Sequence, residues 1–145
     1  MQEGGYPLGV MPGIMGGNVR RFRFVDLFAG LGGFHVALAK LGGTCVLAAE
    51  WQTHLQELYL ENFGLRPHGD IRDLGLDAVP DHDVLCAGFP CQPFSVAGKQ
   101  MGADDNRNLW PEMFRLIKEV KPQWLVCENV PGIIHLYFDT VLSDL

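Results

Sequence analysis

The chain has 145 residues, 48% hydrophobic and 19% charged, with 11 basic against 17 acidic side chains for a net charge of −6. That length holds one domain with a real core, and the composition excludes a mostly disordered chain. No apolar run approaches the roughly 20 residues of a membrane helix and no signal peptide opens the chain, so the expected location is the cytoplasm, with no membrane partner. The acidic balance by itself argues against a nucleic-acid binder, which usually carries a basic face.

Residues 1–21 are rich in Gly, with Pro7 and Pro12, and read as a flexible leader; the domain is expected over 22–145. Phe22 to Phe28 is a short apolar run that predicts a buried strand, followed by a turn over Ala29 to Gly33. Phe34, Ala37, Leu38 and Leu41 predict a helix that Gly42 and Gly43 stop. Thr44 to Ala49 predicts a second strand, Trp51 to Phe63 a helix stopped by Gly64, and Pro67 to Ile71 a short strand. Asp83 to Ala87 predicts another strand, and Gly88 to Asn106, with Pro90, Pro93, Gly98 and Gly102, a long loop. Leu109 to Val120 is helical in pattern, with Pro111 tolerated near its start. Gln123 to Cys127 predicts a fifth strand, Glu128 to Gly132 a turn, and Tyr137 to Leu145 a last helix.

Alternating strands and helices at this spacing predict an α/β fold with a parallel sheet. Ligands of such sheets bind at the carboxyl ends of the strands, so residues following Phe28, Ala49, Ala87 and Cys127 are the candidates. No pair among Cys45, Cys86, Cys91 and Cys127 has CxxC spacing, and the five histidines show no ligand spacing, so no metal site is expected. Cys45, Cys86 and Cys127 fall in predicted strands, where burial explains a thiol. Cys91 lies between Pro90 and Pro93 in a loop, which makes it a nucleophile candidate, because a positioned thiolate is intrinsically reactive.

The glycine turn has the spacing GxGG rather than GxGxxG, which fits a dinucleotide pyrophosphate poorly and serves equally as a plain turn. Glu50 stands 20 residues after Gly30, where such folds place an acid for ribose hydroxyls, with Trp51 beside it. Asp70 could accept from a ring amino group or simply cap a turn. Glu128 could face the thiol as an acid–base partner or cap a helix.

In order, DLFAGLGG, Glu50-Trp51, GDI, GFPCQPFS and ENV resemble the motifs of the DNA (cytosine-5)-methyltransferases, from about Phe22 to the end. The resemblance implies a Rossmann-like S-adenosylmethionine-dependent methyltransferase fold with a mostly parallel sheet, incomplete at about five of seven strands. It implies a cofactor site of Phe28, Ala29, Gly30, Leu31, Gly32, Gly33, Glu50, Trp51, Asp70, Ile71, Gly88, Pro90 and Leu109. Phe28 would lie against the adenine, Glu50 would hold the ribose and Asp70 with Ile71 would read the adenine. Cys91 and Glu128 would carry the chemistry on a cytosine flipped from duplex DNA, with Pro90 and Asn129 fixing geometry. Gln92, Ser95 and Arg107 would meet the nucleic acid.

The family's later arginine motif, recognition domain and returning segment have no match here. The chain is therefore expected to act as part of a methyltransferase, with a complementing chain supplying recognition and with little activity alone. Two further readings share these motifs, a tRNA cytosine methyltransferase and a non-catalytic cofactor-binding remnant. A NAD-binding Rossmann domain fits GxGG and Cys91 poorly.

Overall fold

The computed structural model describes residues 21–90 and 108–145. The leader and the candidates Cys91, Gln92, Ser95 and Arg107 lie outside the described residues. Strand β1 (Phe22–Leu27) leads through α1 (Gly33–Lys40) to β2 (Gly43–Ala49) and then α2 (Thr53–Phe63). Two 3-10 turns follow, Ile71–Asp73 and Leu76–Ala78, before β3 (Val84–Ala87), α3 (Trp110–Val120) and β4 (Trp124–Cys127). Two short helices end the chain, α4 (Ile133–Leu136) and α5 (Phe138–Asp144).

The four strands form one sheet in the order β2-β1-β3-β4, all neighbours parallel. The chain steps from β1 outward to β2 and then returns to the other side of β1, so the order reverses between β1 and β3. Open α/β sheets bind ligands at that reversal, beyond the carboxyl ends of the strands. Residue alternation along β1 divides the core between two faces. Val25 and Leu27 join Leu85, Met113, Leu116 and Trp110 in the larger cluster under α3. Ala48 and Tyr59 pack with Cys45 and Phe63 on the opposite face, under α2. Among the described residues no helix is long and apolar enough to cross a membrane.

The structure corrects three expectations. The short strand over Pro67 to Ile71 reduces to a single bridge between Ala49 and His68, which leaves a sheet of four described strands rather than five. Pro67 has no N–H to give a ladder, and the Asp70 carboxylate accepts the Arg72 N–H at 2.9 Å, turning the chain into a 3-10 helix. The segment 133–136 forms the extra turn of helix α4. Cys127 is exposed, because β4 is an edge strand with nothing against its outer side among the described residues.

Candidate functional site

At the carboxyl ends of the strands lies a cavity of about 690 Å³. β1 supplies its first wall. Leu27 ends the strand, and Phe28 turns the chain at φ 58, a left-handed conformation that an aromatic residue rarely adopts. The turn is pinned to β2 by the Ala29 N–H, which donates to the Ala49 carbonyl at 2.9 Å. Phe28 and Gly30 line the cavity. Ala29 is buried beneath the turn, Leu31 is exposed, and Gly33 opens α1; none of these forms part of the cavity wall. Gly32 caps α1 at φ 84, and a Cβ there would lie 2.3 Å from the Phe63 ring. Its glycine is required by packing under the turn.

Glu50 follows β2 and is nearly fully buried, 6% exposed. Its Oε2 accepts the Gly30 N–H at 3.0 Å and its Oε1 accepts the Gln52 N–H at 2.8 Å. The Gln56 side-chain amide donates to the Glu50 carbonyl. Both oxygens are held by backbone while retaining lone pairs toward the cavity, the geometry needed to accept from a vicinal diol. Trp51 stands at the cavity rim, 67% exposed. A flat ring could be covered by that indole at low entropic cost.

Asp70, Ile71 and Arg72 form the next wall. The Arg72 guanidinium closes on the Asp70 carboxylate through both Nε and Nη2, and this holds the Asp70 carboxyl below the usual carboxylate range. The segment is tied down from behind. Arg115 on α3 donates through Nη2 to the carbonyls of Ile71 and Leu74, while its Nε meets Glu112.

The floor comes from β3 and β4. These strands pair from Val84 with Trp124 to Ala87 with Cys127, so Gly88 and Glu128 emerge side by side. The Glu128 N–H continues the ladder to the Ala87 carbonyl at 3.0 Å. A Cβ on Gly88 would lie 3.1 Å from Glu128 Oε2, so a side chain there would crowd the carboxylate. Gly88, Pro90, Leu109 and Glu128 all line the cavity. Asn129 is not on its wall; its side-chain amide donates to the Phe89 carbonyl at 3.0 Å and its Oδ1 accepts the Val130 N–H. It thereby fixes the backbone immediately before Pro90.

The sequence reading left out Gln52, Leu55, Arg72, Phe89 and Val130, which also line the cavity. Phe89 and Val130 stand inside two of the quoted motifs and Gln52 follows Glu50-Trp51, so proximity was an available signal. Arg72 likewise follows Gly69-Asp70-Ile71, and Ala49, also on the wall, directly precedes Glu50; Leu55 carries no such signal. Among the described residues no group of His, Cys, Asp and Glu could hold a metal.

A parallel α/β sheet with a glycine turn and a buried acid at the strand-order reversal defines a Rossmann-like domain of the methyltransferase type. The family model for C-5 cytosine-specific DNA methylase matches residues 22–145. The chain belongs to that family. It is 51% identical over 109 residues to Type II methyltransferase M.HhaI of Haemophilus parahaemolyticus, covering 74% of this chain and 33% of that protein. Type II methyltransferase M.HpaII of Haemophilus parainfluenzae is 45% identical over 120 residues, covering 80% and 34%. In fold the chain resembles the S. pombe Dnmt2 methyltransferase, with a TM-score of 0.67 at 24% identity over 85% of this chain and 40% of that one. The chain spans about a third of the length of the curated relatives it matches.

Proposed function

We propose that this chain is the cofactor-binding and nucleophile-bearing part of a cytoplasmic DNA (cytosine-5)-methyltransferase. The observation that carries the reading is Glu50, a buried carboxylate with each oxygen fixed by a backbone N–H and a free side toward the cavity. Those acceptor oxygens fit the ribose hydroxyls of S-adenosylmethionine, Phe28 and Trp51 fit its adenine, and Asp70 fits the exocyclic amine. The cofactor supplies an electrophilic methyl group on a sulfonium.

The remaining chemistry belongs to the chain. Cytosine C5 is a poor nucleophile, so the Cys91 thiolate adds at C6 and pushes electron density to C5. Glu128 holds a proton at N3 and stabilises that addition. After C5 is alkylated, a base removes its proton and Cys91 departs with its bonding electrons. Pro90 and Asn129 fix the backbone leading to Cys91; the hydrogen bond from Asn129 to the Phe89 carbonyl supports that role. Gln92, Ser95 and Arg107 would meet the phosphates of a duplex whose target cytosine has left the stack, an extrusion costing a few kcal/mol. The net charge of −6 leaves little duplex grip in this chain, so a basic recognition surface from further sequence or a complementing chain would complete the activity.

Titration calorimetry of the full chain with S-adenosylhomocysteine tests the cofactor site. Saturable binding is expected, and Glu50→Gln should weaken it about 10–100-fold, the scale of one charged hydrogen-bond partner. The nucleophile is tested with a duplex carrying 5-fluorocytosine, S-adenosylmethionine and a complementing recognition chain. A covalent adduct should form with the native chain and vanish in Cys91→Ser. The absence of both binding and adduct would overturn the reading.

A further inference from the structure

Asp26 is fully buried on β1, and neither of its carboxylate oxygens has a hydrogen-bond partner among the described residues. It does not line the cavity. Four elements bring groups to bear on it: the His35 backbone N–H from α1, Cys45 from β2, Tyr59 from α2 and Cys86 from β3. The Tyr59 hydroxyl is committed elsewhere, 2.7 Å from His35 Nδ1 and 3.7 Å from Cys45 Sγ. His35 is itself stacked on Phe63 at 4.1 Å and set edge-on to Phe24. None of these groups is a cation at neutral pH. Burial lowers the pKa of His35 and pushes Cys45 and Cys86 up to about 11 and 12, which keeps both thiols neutral.

The position of this acid matters. Two residues after Asp26 comes the strained Phe28, then the turn whose Gly30 N–H holds Glu50, then α1, whose first turn contains His35. Asp26 and His35 therefore bracket the cavity turn from below. α1 has no buried residue and no side-chain cap at its N-terminus, so its hold on the α2 face runs through Gly32, packed on the Phe63 ring, and His35, bonded to Tyr59 and stacked on Phe63.

We propose that Asp26 is a positioning residue that closes the 28–32 turn over the cavity when protonated and loosens it when ionised. The inference rests on the proposed function only for what the turn holds. A neutral carboxyl fits a fully buried position that offers neither oxygen a hydrogen-bond partner among the described residues. A carboxylate there needs water, which a loosened 28–32 turn would admit. Burial pushes Asp26 up to about 7, against weaker opposing pulls from Tyr59 and the His35 N–H. The closed turn therefore favours the neutral acid, and by linkage alkaline pH favours the open one.

The decisive measurement is an NMR titration of the full chain from about pH 5 to about pH 9, following the amides of residues 28–35 and the Asp26 carboxyl carbon. The turn amides should shift together with the carboxyl near neutrality. Asp26→Asn should abolish their shift. Turn amides that stay still while Asp26 titrates, or that titrate unchanged in Asp26→Asn, overturn the proposal. In parallel, S-adenosylhomocysteine affinity should fall more than about threefold from pH 6 to pH 8.5 in the native chain and stay flat in Asp26→Asn, within the tenfold-per-unit limit of one proton. A chain that shows the amide titration but binds no S-adenosylhomocysteine keeps the positioning role and refutes the cofactor reading instead.

Discussion

Two residues of the turn act through opposite physics. Phe28 holds a positive φ that costs an L-residue about 1–2 kcal/mol, and its ring faces the cavity. Phe28→Gly removes that strain, but it adds unfolded-state entropy of similar size and strips the ring from the core cluster it packs against, so the chain should lose stability on balance. Affinity for S-adenosylhomocysteine should also fall, because the ring is lost; calorimetry beside denaturant unfolding separates the two effects. Gly32 is the reverse case. Gly32→Ala forces a Cβ into the Phe63 ring at a left-handed φ, so unfolding should become easier by more than about 1 kcal/mol. Asp26 adds a pH dependence to stability. Its folded pKa of about 7 exceeds the ordinary 3.8, so its contribution is complete below about pH 4 and is lost as pH rises to 7. The change has an upper bound of about 4 kcal/mol. The denaturant midpoint should therefore fall between pH 5 and pH 8 and should fall much less in Asp26→Asn.

At the level of elements, the sequence pattern was most legible where a glycine or a long apolar period marked a boundary. Gly42 and Gly64 sit at positive φ at the ends of α1 and α2, where the sequence stops both helices. Glu50, Gly88 and Glu128 follow strands by position alone, so reading the strands placed those walls of the cavity. What was not legible depends on contacts distant in sequence. The single His68 bridge depends on Ala48 and Ala49 and on the Asp70 cap, none of which a local apolar run reveals. Arg115 gave no signal, because it acts on the carbonyls of Ile71 and Leu74 more than 40 residues earlier. Asp26 read as part of a glycine-turn motif, and its orphaned burial appears only when α1, α2, β2 and β3 close around it. The Arg115 contact makes its own prediction. Arg115→Met keeps the aliphatic stem but frees those two carbonyls, and hydrogen exchange of residues 71–74 should quicken while the amides of β1 stay protected.

For the molecule as a whole, the sheet has a dense interior and an open side. β1 and β3 lie between neighbours, with Val25, Leu27, Leu85 and Ala87 at 0–1% exposure. β4 is an edge, and its side chains are left half-covered or open among the described residues. Trp124 is 70% exposed and Val126 40%; two residues apart on one strand, they share a face. Ile134 and Leu142, on the short helices that follow, are also exposed. An unpaired apolar strand edge favours pairing with another chain. The full chain should therefore self-associate in sedimentation velocity, increasingly with concentration. Replacing the shared face with Trp124→Lys and Val126→Thr should shift the distribution toward monomer, since a charge on an edge strand opposes pairing. The same variant should still bind S-adenosylhomocysteine, because Glu128 enters the cavity beyond the strand's end and its N–H is held by Ala87 rather than by either replaced side chain. If the distribution of the variant matches that of the native chain, the β4 face is not where copies meet. If binding is lost along with self-association, β4 contributes to the cavity through more than the ladder it shares with β3.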